Sequence, residues 1–120
     1  MNLLKLFIAI AIVESNLNPN AFNSKENAAG IVQIRPILVK DVNRISGKKY
    51  TLEDRFSVRK SYEMFCIYLT YYKPKTYEQA ARMWNGGPKG HLKKSTLKYW
   101  KKIKKHLDNR KTIWYIIRRK

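Results

Sequence analysis

Glu14 directly follows an unbroken run of eight apolar residues, Leu6 to Val13. A carboxyl at the end of a buried helix is partly stripped of water, which disfavours its charged form and raises its pKa. A carboxyl that keeps its proton near neutral pH can act as a general acid on a glycosidic bond. The same position also suits a helix-end glutamate turned into solvent, and position alone leaves both readings open. Ordinary glycosidases use a second carboxylate, about 5 Å away or further. The candidates are Glu26, Asp41, Glu53 and Asp54. Each also reads simply: Glu26 as a solvated loop residue, Asp41 as a surface charge, Asp54 as a helix-start residue. Cys66 falls near an apolar stripe and reads as a reduced core thiol, because neither His91 nor His106 can be placed beside it. Both histidines read as surface residues.

The elements that must position Glu14 follow from the apolar pattern. The run through Val13 is apolar nearly all round, which fits a helix buried in a core. It also has the look of a short signal peptide, but no small-x-small pair follows it. Asn16, Asn18 and Pro19 end that helix. Residues 15–30 then read as a long ordered loop, the kind that often carries function. Pro36 suits the first turn of a second helix facing inward through Leu38, Val42 and Ile45 and stopping at Gly47. A loop covers 47–56. Val58, Tyr62, Phe65, Leu69 and Tyr72 mark a third helix, broken at Lys73-Pro74-Lys75. Thr76-x-x-Gln79 resembles a capping box opening a fourth helix through Trp84. Asn85-Gly86-Gly87-Pro88 reads as a turn. Ser95 or Thr96 caps a fifth helix, with Leu97, Trp100, Ile103 and Leu107 inward and Lys98, Lys101, Lys102, Lys104 and Lys105 outward. No repeat or strand pattern is visible, and the class is mostly α.

Composition narrows the partners. The 120 residues carry 26 Lys+Arg against 8 Asp+Glu, a formal charge of +18, and 44% are hydrophobic. That content supports a packed core and excludes global disorder. One cysteine excludes an intrachain disulfide, and the histidine spacing excludes a zinc finger. The longest apolar run is too short to span a bilayer. Residues 1–60 hold ten basic and five acidic residues; residues 61–120 hold sixteen and three. Such a field favours polyanions: nucleic acid, an anionic membrane or an anionic wall polymer. Lys89 to Lys111 holds ten basic residues and one acid, with Tyr99 and Trp100 interleaved. This is also the footprint of a single-strand nucleic-acid binder, so a non-enzymatic basic binding protein is a competing class. No nucleic-acid motif accompanies it, and no specific nucleic acid is expected.

Four blocks of the sequence carry a resemblance. They are Ile8-Ala-Ile-Ala-Ile-Val-Glu14-Ser15-Asn-Leu-Asn-Pro19-Asn-Ala21, then Ala29-Gly30-Ile31-Val32-Gln33-Ile34, then Ala80-Ala81-Arg-Met-Trp84-Asn85-Gly86-Gly87-Pro88, and finally Thr96-Leu-Lys-Tyr99-Trp-x-x-Ile103. In type and order they resemble the soluble lytic transglycosylase (SLT) domain, family 23 of the glycoside hydrolases, over about residues 3–107. The departures are Trp84 where tyrosine is usual and Val32 where methionine is common.

The resemblance implies a mostly α, lysozyme-like single domain with a substrate cleft over residues 1–110, followed by a basic-aromatic tail, 111–120. It implies that Glu14 is the single catalytic acid/base and that Ser15 orients the carboxylate or the substrate. Gln33 would line the saccharide groove, Trp84 would supply its aromatic face, Asn85 and Gly86 would form the adjoining turn, and the Tyr99 hydroxyl would point at the catalytic carboxyl. It implies cleavage of the N-acetylmuramic acid–N-acetylglucosamine bond of peptidoglycan with closure of a 1,6-anhydro ring, without metal or cofactor. A water-using muramidase, with Glu26 as the first partner to test, is the hydrolytic alternative. A monomer acting in the wall or periplasm is expected, as a minimal domain or a piece of a longer protein. A phage-type wall enzyme, carried in the particle or released at lysis, fits its size and charge. The Lys-rich second half would meet anionic wall polymers or a membrane surface, to which Trp114–Lys120 could add a contact.

Overall fold

The helix that ends at Glu14 and Ser15 starts with a cap. Asn2 Oδ1 accepts from Lys5 N at 3.0 Å, satisfying one of the unpaired amides of a first turn. The computed structural model describes residues 1–109 and Arg118, and this first helix, α1, spans Leu3–Ser15. Leu6 through Ala11 are all buried, so α1 runs through the core on every side, as the sequence predicts. It stops because Asn16 and Leu17 both take left-handed backbone (φ 52° and 64°). Their amides fold back onto Ile12 and Ala11 carbonyls at 3.1 and 3.2 Å, closing the orphaned end.

The segment 15–30 is more ordered than a loop. It contains a two-residue antiparallel hairpin, β1 (Phe22–Asn23) and β2 (Ala28–Ala29), with Phe22 opposite Ala29 and Asn23 opposite Ala28. Strands this short leave no alternating pattern to read. Gly30 follows at φ +86°, and a Cβ there would stand 1.8 Å from the Arg55 carbonyl oxygen. Only glycine meets both conditions.

Helix α2 spans Pro36–Ser46 and closes on left-handed Gly47, at the predicted bounds. The 47–56 segment holds one 3-10 turn, Glu53–Phe56. Its Arg55 is buried, with Nη1 donating to the Asn27 and Ile34 carbonyls at 2.6 and 2.9 Å. This guanidinium ties the hairpin to the turn. Helix α3 spans Val58–Tyr72 behind Ser57 as cap. Its buried residues are Ser61, Met64, Phe65, Tyr68 and Leu69; Val58, Tyr62 and Tyr72 are only half-buried. The inward face is therefore rotated from the predicted stripe: Ser61 turns in to donate to the Arg55 carbonyl at 2.9 Å, and Tyr68 packs edge-on to Trp84.

Helix α4 spans Tyr77–Gly86. Thr76 Oγ1 caps Gln79 N at 3.1 Å, while Gln79 Oε1 reaches back to Lys75 N at 2.9 Å instead of the cap itself. Asn85 and Gly86 belong to the helix and not to the turn predicted for them; Gly87, at φ +89°, makes the break. Helix α5 spans Leu97–Leu107. Thr96 precedes it but does not cap it with its side chain. The Thr96 hydroxyl sits buried 2.7 Å from the Gly90 carbonyl and accepts from Arg82 Nε at 2.8 Å. Ile103 and Leu107 face the core as expected, Trp100 is half-buried, and Leu97 is 40% exposed, against its predicted inward position. The five α5 lysines are exposed.

Both histidines are half-buried rather than on the surface. His91 Nδ1 is buried with no hydrogen-bond partner among the described residues, and His106 Nδ1 lies 2.7 Å from Asn109 Nδ2. Cys66 is a half-buried free thiol pushed up by burial. Among the described residues no helix is long and apolar enough to cross a membrane. The 111–120 tail, including Trp114, lies outside the described residues apart from Arg118.

Candidate active site

The C-terminal end of α1 brings Glu14 to the wall of a groove of about 1050 Å³. The hairpin, α2, α3 and the end of α4 contribute the other walls. Burial pushes the Glu14 carboxyl up to about 7. A hydrogen bond from Tyr99 and the charges of Arg35 and Lys102 act in the opposite direction, and Glu26 adds a smaller push upward. The outcome follows the general rule that removing water from a carboxyl costs its charged form more than nearby dipoles return. Glu14 forms no ion pair among the described residues.

Tyr99 comes from α5, 85 positions away, and its hydroxyl donates to Glu14 Oε2 at a long 3.4 Å. Burial and the neighbouring Glu14 hold this phenol well above its usual range, so it stays a neutral donor.

Gln33 also stands at the groove, in left-handed backbone at φ 54°. Its amide nitrogen donates to the Gly30 and Ala21 carbonyls at 2.9 and 3.2 Å. With the nitrogen committed, the side chain has its oxygen left to offer, as an acceptor for a sugar hydroxyl. Trp84 lines the groove yet is 8% exposed. Its indole N–H donates to the Val32 carbonyl at 3.2 Å, and its ring packs edge-on against Phe65 and Tyr68 at 4.9 and 5.8 Å between centroids. It is a core residue with one edge in the groove, and the polar atom a tyrosine would have presented there is spent inward.

Asn85 and Gly86 line the same groove at the end of α4. The Asn85 amide has no side-chain partner among the described residues, so it is free for a ligand. Gly86 is required by packing: a Cβ there would lie 2.7 Å from Thr96 Cγ2. Two expected site residues, Ser15 and Tyr99, do not line the groove; Tyr99 reaches it through Glu14, while Ser15 is tied to the backbone. Its hydroxyl donates to the Ile31 carbonyl at 2.7 Å and accepts from Asn18 N at 3.1 Å. It fastens the end of α1 to the Gly30–Gln33 turn, and so fixes where Glu14 and Gln33 stand relative to each other.

The groove also holds two of the second-carboxylate candidates, Asp41 and Glu26, together with Tyr68, Lys40 and Lys93, which the sequence did not single out. Asp41 accepts from the Tyr72 hydroxyl at 2.6 Å and from Arg44 at 2.7 Å. Glu26 is ion-paired with Arg35. Tyr68, Lys40 and Lys93 complete the polar lining. Tyr68 and Tyr72 carried a signal, four residues apart on one face of α3, but that spacing does not separate a groove wall from a core. Among the described residues no three His, Cys, Asp or Glu side chains gather as a metal-binding group.

A mostly helical domain whose groove holds a carboxyl in no ion pair and raised by burial belongs with the lysozyme-like proteins. The family model for the transglycosylase SLT domain matches residues 1–107, and the chain belongs to that family. Membership carries a transglycosylase-type action on peptidoglycan. No curated protein and no solved structure matches the chain significantly.

Proposed function

We propose that this chain is a lytic transglycosylase that cleaves the β-1,4 bond between N-acetylmuramic acid and N-acetylglucosamine with Glu14 as its only acid/base. The observation that carries the reading is the state of Glu14. It is the groove carboxyl that burial holds up to about 7, whereas Glu26 and Asp41 are ion-paired.

Protonated Glu14 gives its proton to the leaving glycosidic oxygen as the C1–O bond breaks. The substrate's own 2-acetamido oxygen meets the positive charge at C1. Glu14, now a carboxylate accepting from Tyr99, takes the proton of the muramoyl C6 hydroxyl while O6 bonds to C1. The proton is back on Glu14, a 1,6-anhydro ring has formed, and no water is consumed. Gln33 O and the Asn85 amide hold sugar hydroxyls, the exposed edge of Trp84 contacts a ring, and Gly86 lets the α4 end stand close to the strand. Ser15 acts through the turn it fastens.

The groove holds a glycan strand, so a monomer suffices. The substrate lies outside the cytoplasmic membrane, which puts the place of action in the wall or periplasm, reached by a phage-type release or by another route. The test is digestion of purified murein followed by mass spectrometry. Anhydro-terminated muropeptides from the wild type, and none from Glu14→Gln, support the reading. Reducing-end muramic acid makes the chain a hydrolytic muramidase, and Glu26→Gln then becomes the next variant to assay.

A further inference from the structure

Helix α5 has two different sides. One carries Tyr99 to Glu14 and packs Ile103 and Leu107 into the core. The other presents Lys98, Lys101, Lys102, Lys104 and Lys105, all exposed. Four of these, Lys98, Lys101, Lys102 and Lys105, recur at i, i+3, i+4 and i+7, so their side chains form one row along the helix. None of the five is in an ion pair among the described residues. The sequence holds no acidic residue between Glu78 and Asp108, and Asp108 is bound to Lys5. Like charges at this spacing destabilise a helix, so the row is a folding cost that a bound polyanion would relieve.

The kind of polyanion follows from what the row lacks. Tyr99 and Trp100 are interleaved with the lysines in sequence, but both are half-buried, Tyr99 against Glu14 and Trp100 against the core. No exposed aromatic stands among the lysines for a base to stack on, and stacking is what a single-strand binder needs besides charge. The exposed apolar side chain on α5 is Leu97 alone, at 40%, and a single leucine at the start of the row is not the apolar face that a helix lays into a bilayer interface. What remains is charge alone, matched to a flexible chain of phosphodiesters. Helix α5 fixes where such a chain would lie: its Tyr99 hydroxyl reaches Glu14 at 3.4 Å, so the row runs along a helix that abuts the groove.

We propose that the α5 lysine row is a docking surface for a phosphodiester-linked polyol polymer of the cell wall, which holds the protein on the wall with its groove against the glycan. The expected location of that polymer rests on the peptidoglycan reading above; the binding itself does not.

The experiment is co-sedimentation of the full chain, as Glu14→Gln, with murein carrying covalently attached poly(glycerol phosphate), and with the same murein after the polymer is stripped. Free poly(glycerol phosphate), single-stranded DNA and anionic-lipid vesicles serve as competitors. The expected result is binding that favours the polymer-bearing murein and weakens steeply between about 50 and 200 mM salt. Replacing Lys98, Lys101 and Lys105 together by Gln weakens it by about tenfold or more. The same triple change on the Glu14 background leaves the rate on stripped murein unaltered. Unchanged polymer binding by the triple variant overturns the proposal. So does stronger competition by DNA or by vesicles than by poly(glycerol phosphate) at equal charge, which would assign the row to nucleic acid or to a bilayer. Because binding is read on Glu14→Gln, failure here leaves the catalytic reading standing, and failure of the catalytic reading leaves this one standing.

Discussion

Glu14 and Asp41 line the same groove and have opposite surroundings. Asp41 sits on α2 with the Arg44 guanidinium at 2.7 Å and the Tyr72 hydroxyl at 2.6 Å. These two partners hold the carboxylate in place by a hydrogen bond and an ion pair. Glu14 has no cation within ion-pair distance among the described residues, only a long hydrogen bond from a neutral phenol, and the apolar end of α1 against it. The contrast separates two uses of a carboxyl. A paired carboxylate organises a wall; an unpaired, dehydrated one stores a proton that it can release and recover. Glu26, paired with Arg35, belongs with Asp41.

The strongest way to break this comparison is to exchange the acid for its amide at each position. Glu14→Gln removes the transferable proton while keeping an oxygen for Tyr99 to donate to, and its turnover of murein should fall by about 10²–10⁴-fold. Asp41→Asn keeps an acceptor for Tyr72 but loses the charge opposite Arg44. It should cost about 1 kcal/mol of stability, read by denaturant titration, and change turnover by less than about tenfold. Equal losses of turnover in the two variants would mean that the groove works with two carboxylates, and the distinction drawn here would fall.

Stability against pH sharpens the same contrast. The Glu14 carboxyl is raised from 4.5 to about 7 on folding, so the folded chain holds a proton there that the unfolded chain gives up. Stability from this group is full below about pH 4.5 and is lost as pH rises toward 7 and beyond. Glu14→Gln carries no such penalty. It should therefore be more stable than the wild type above pH 7, on the order of 2 kcal/mol, with the difference shrinking on acidification. Thermal melts at pH 5 and pH 8 measure it. A buried carboxyl that costs stability near neutral pH is the trade of stability against function expected if Glu14 acts as proposed.

Much of this was legible in the sequence, for identifiable reasons. Glu14 stood out because eight apolar residues in a row leave one helix end for a polar group to occupy. The cap of α4 at Thr76 and the Gly47 stop of α2 are written in single residues whose chemistry is local. Contacts made across the chain were not legible. That Trp84 would spend its N–H on Val32, and Ser15 its hydroxyl on Ile31, depends on how α1, the Gly30–Gln33 turn and α4 meet. The same holds for Arg55, a buried arginine satisfied by carbonyls 21 and 28 positions away. Asp41 read as a surface charge because its partner Tyr72 lies 31 residues further on. The hairpin was missed because two-residue strands have no period.

Tyr99→Phe gives the smallest effect and the finest test of what tunes the proton. The phenol donates to Glu14 Oε2 and so stabilises the carboxylate, lowering the pKa that burial raises. Removing it keeps the ring's bulk and takes away a donor that favours the carboxylate, so the Glu14 pKa rises above about 7. On the proposed mechanism only the protonated form of Glu14 starts the reaction. Wild-type turnover should therefore fall as pH climbs through about 7, approaching tenfold per pH unit above it. In Tyr99→Phe that alkaline limb should move up by less than about one unit, with a lower plateau because the carboxylate is less well oriented for the second proton transfer. A plateau lowered with the limb unmoved would make Tyr99 a packing residue on α5. A limb displaced to lower pH would mean that the phenol supports the acid form, and the account of Glu14 as a carboxyl held up by burial against its hydrogen bond would be reversed.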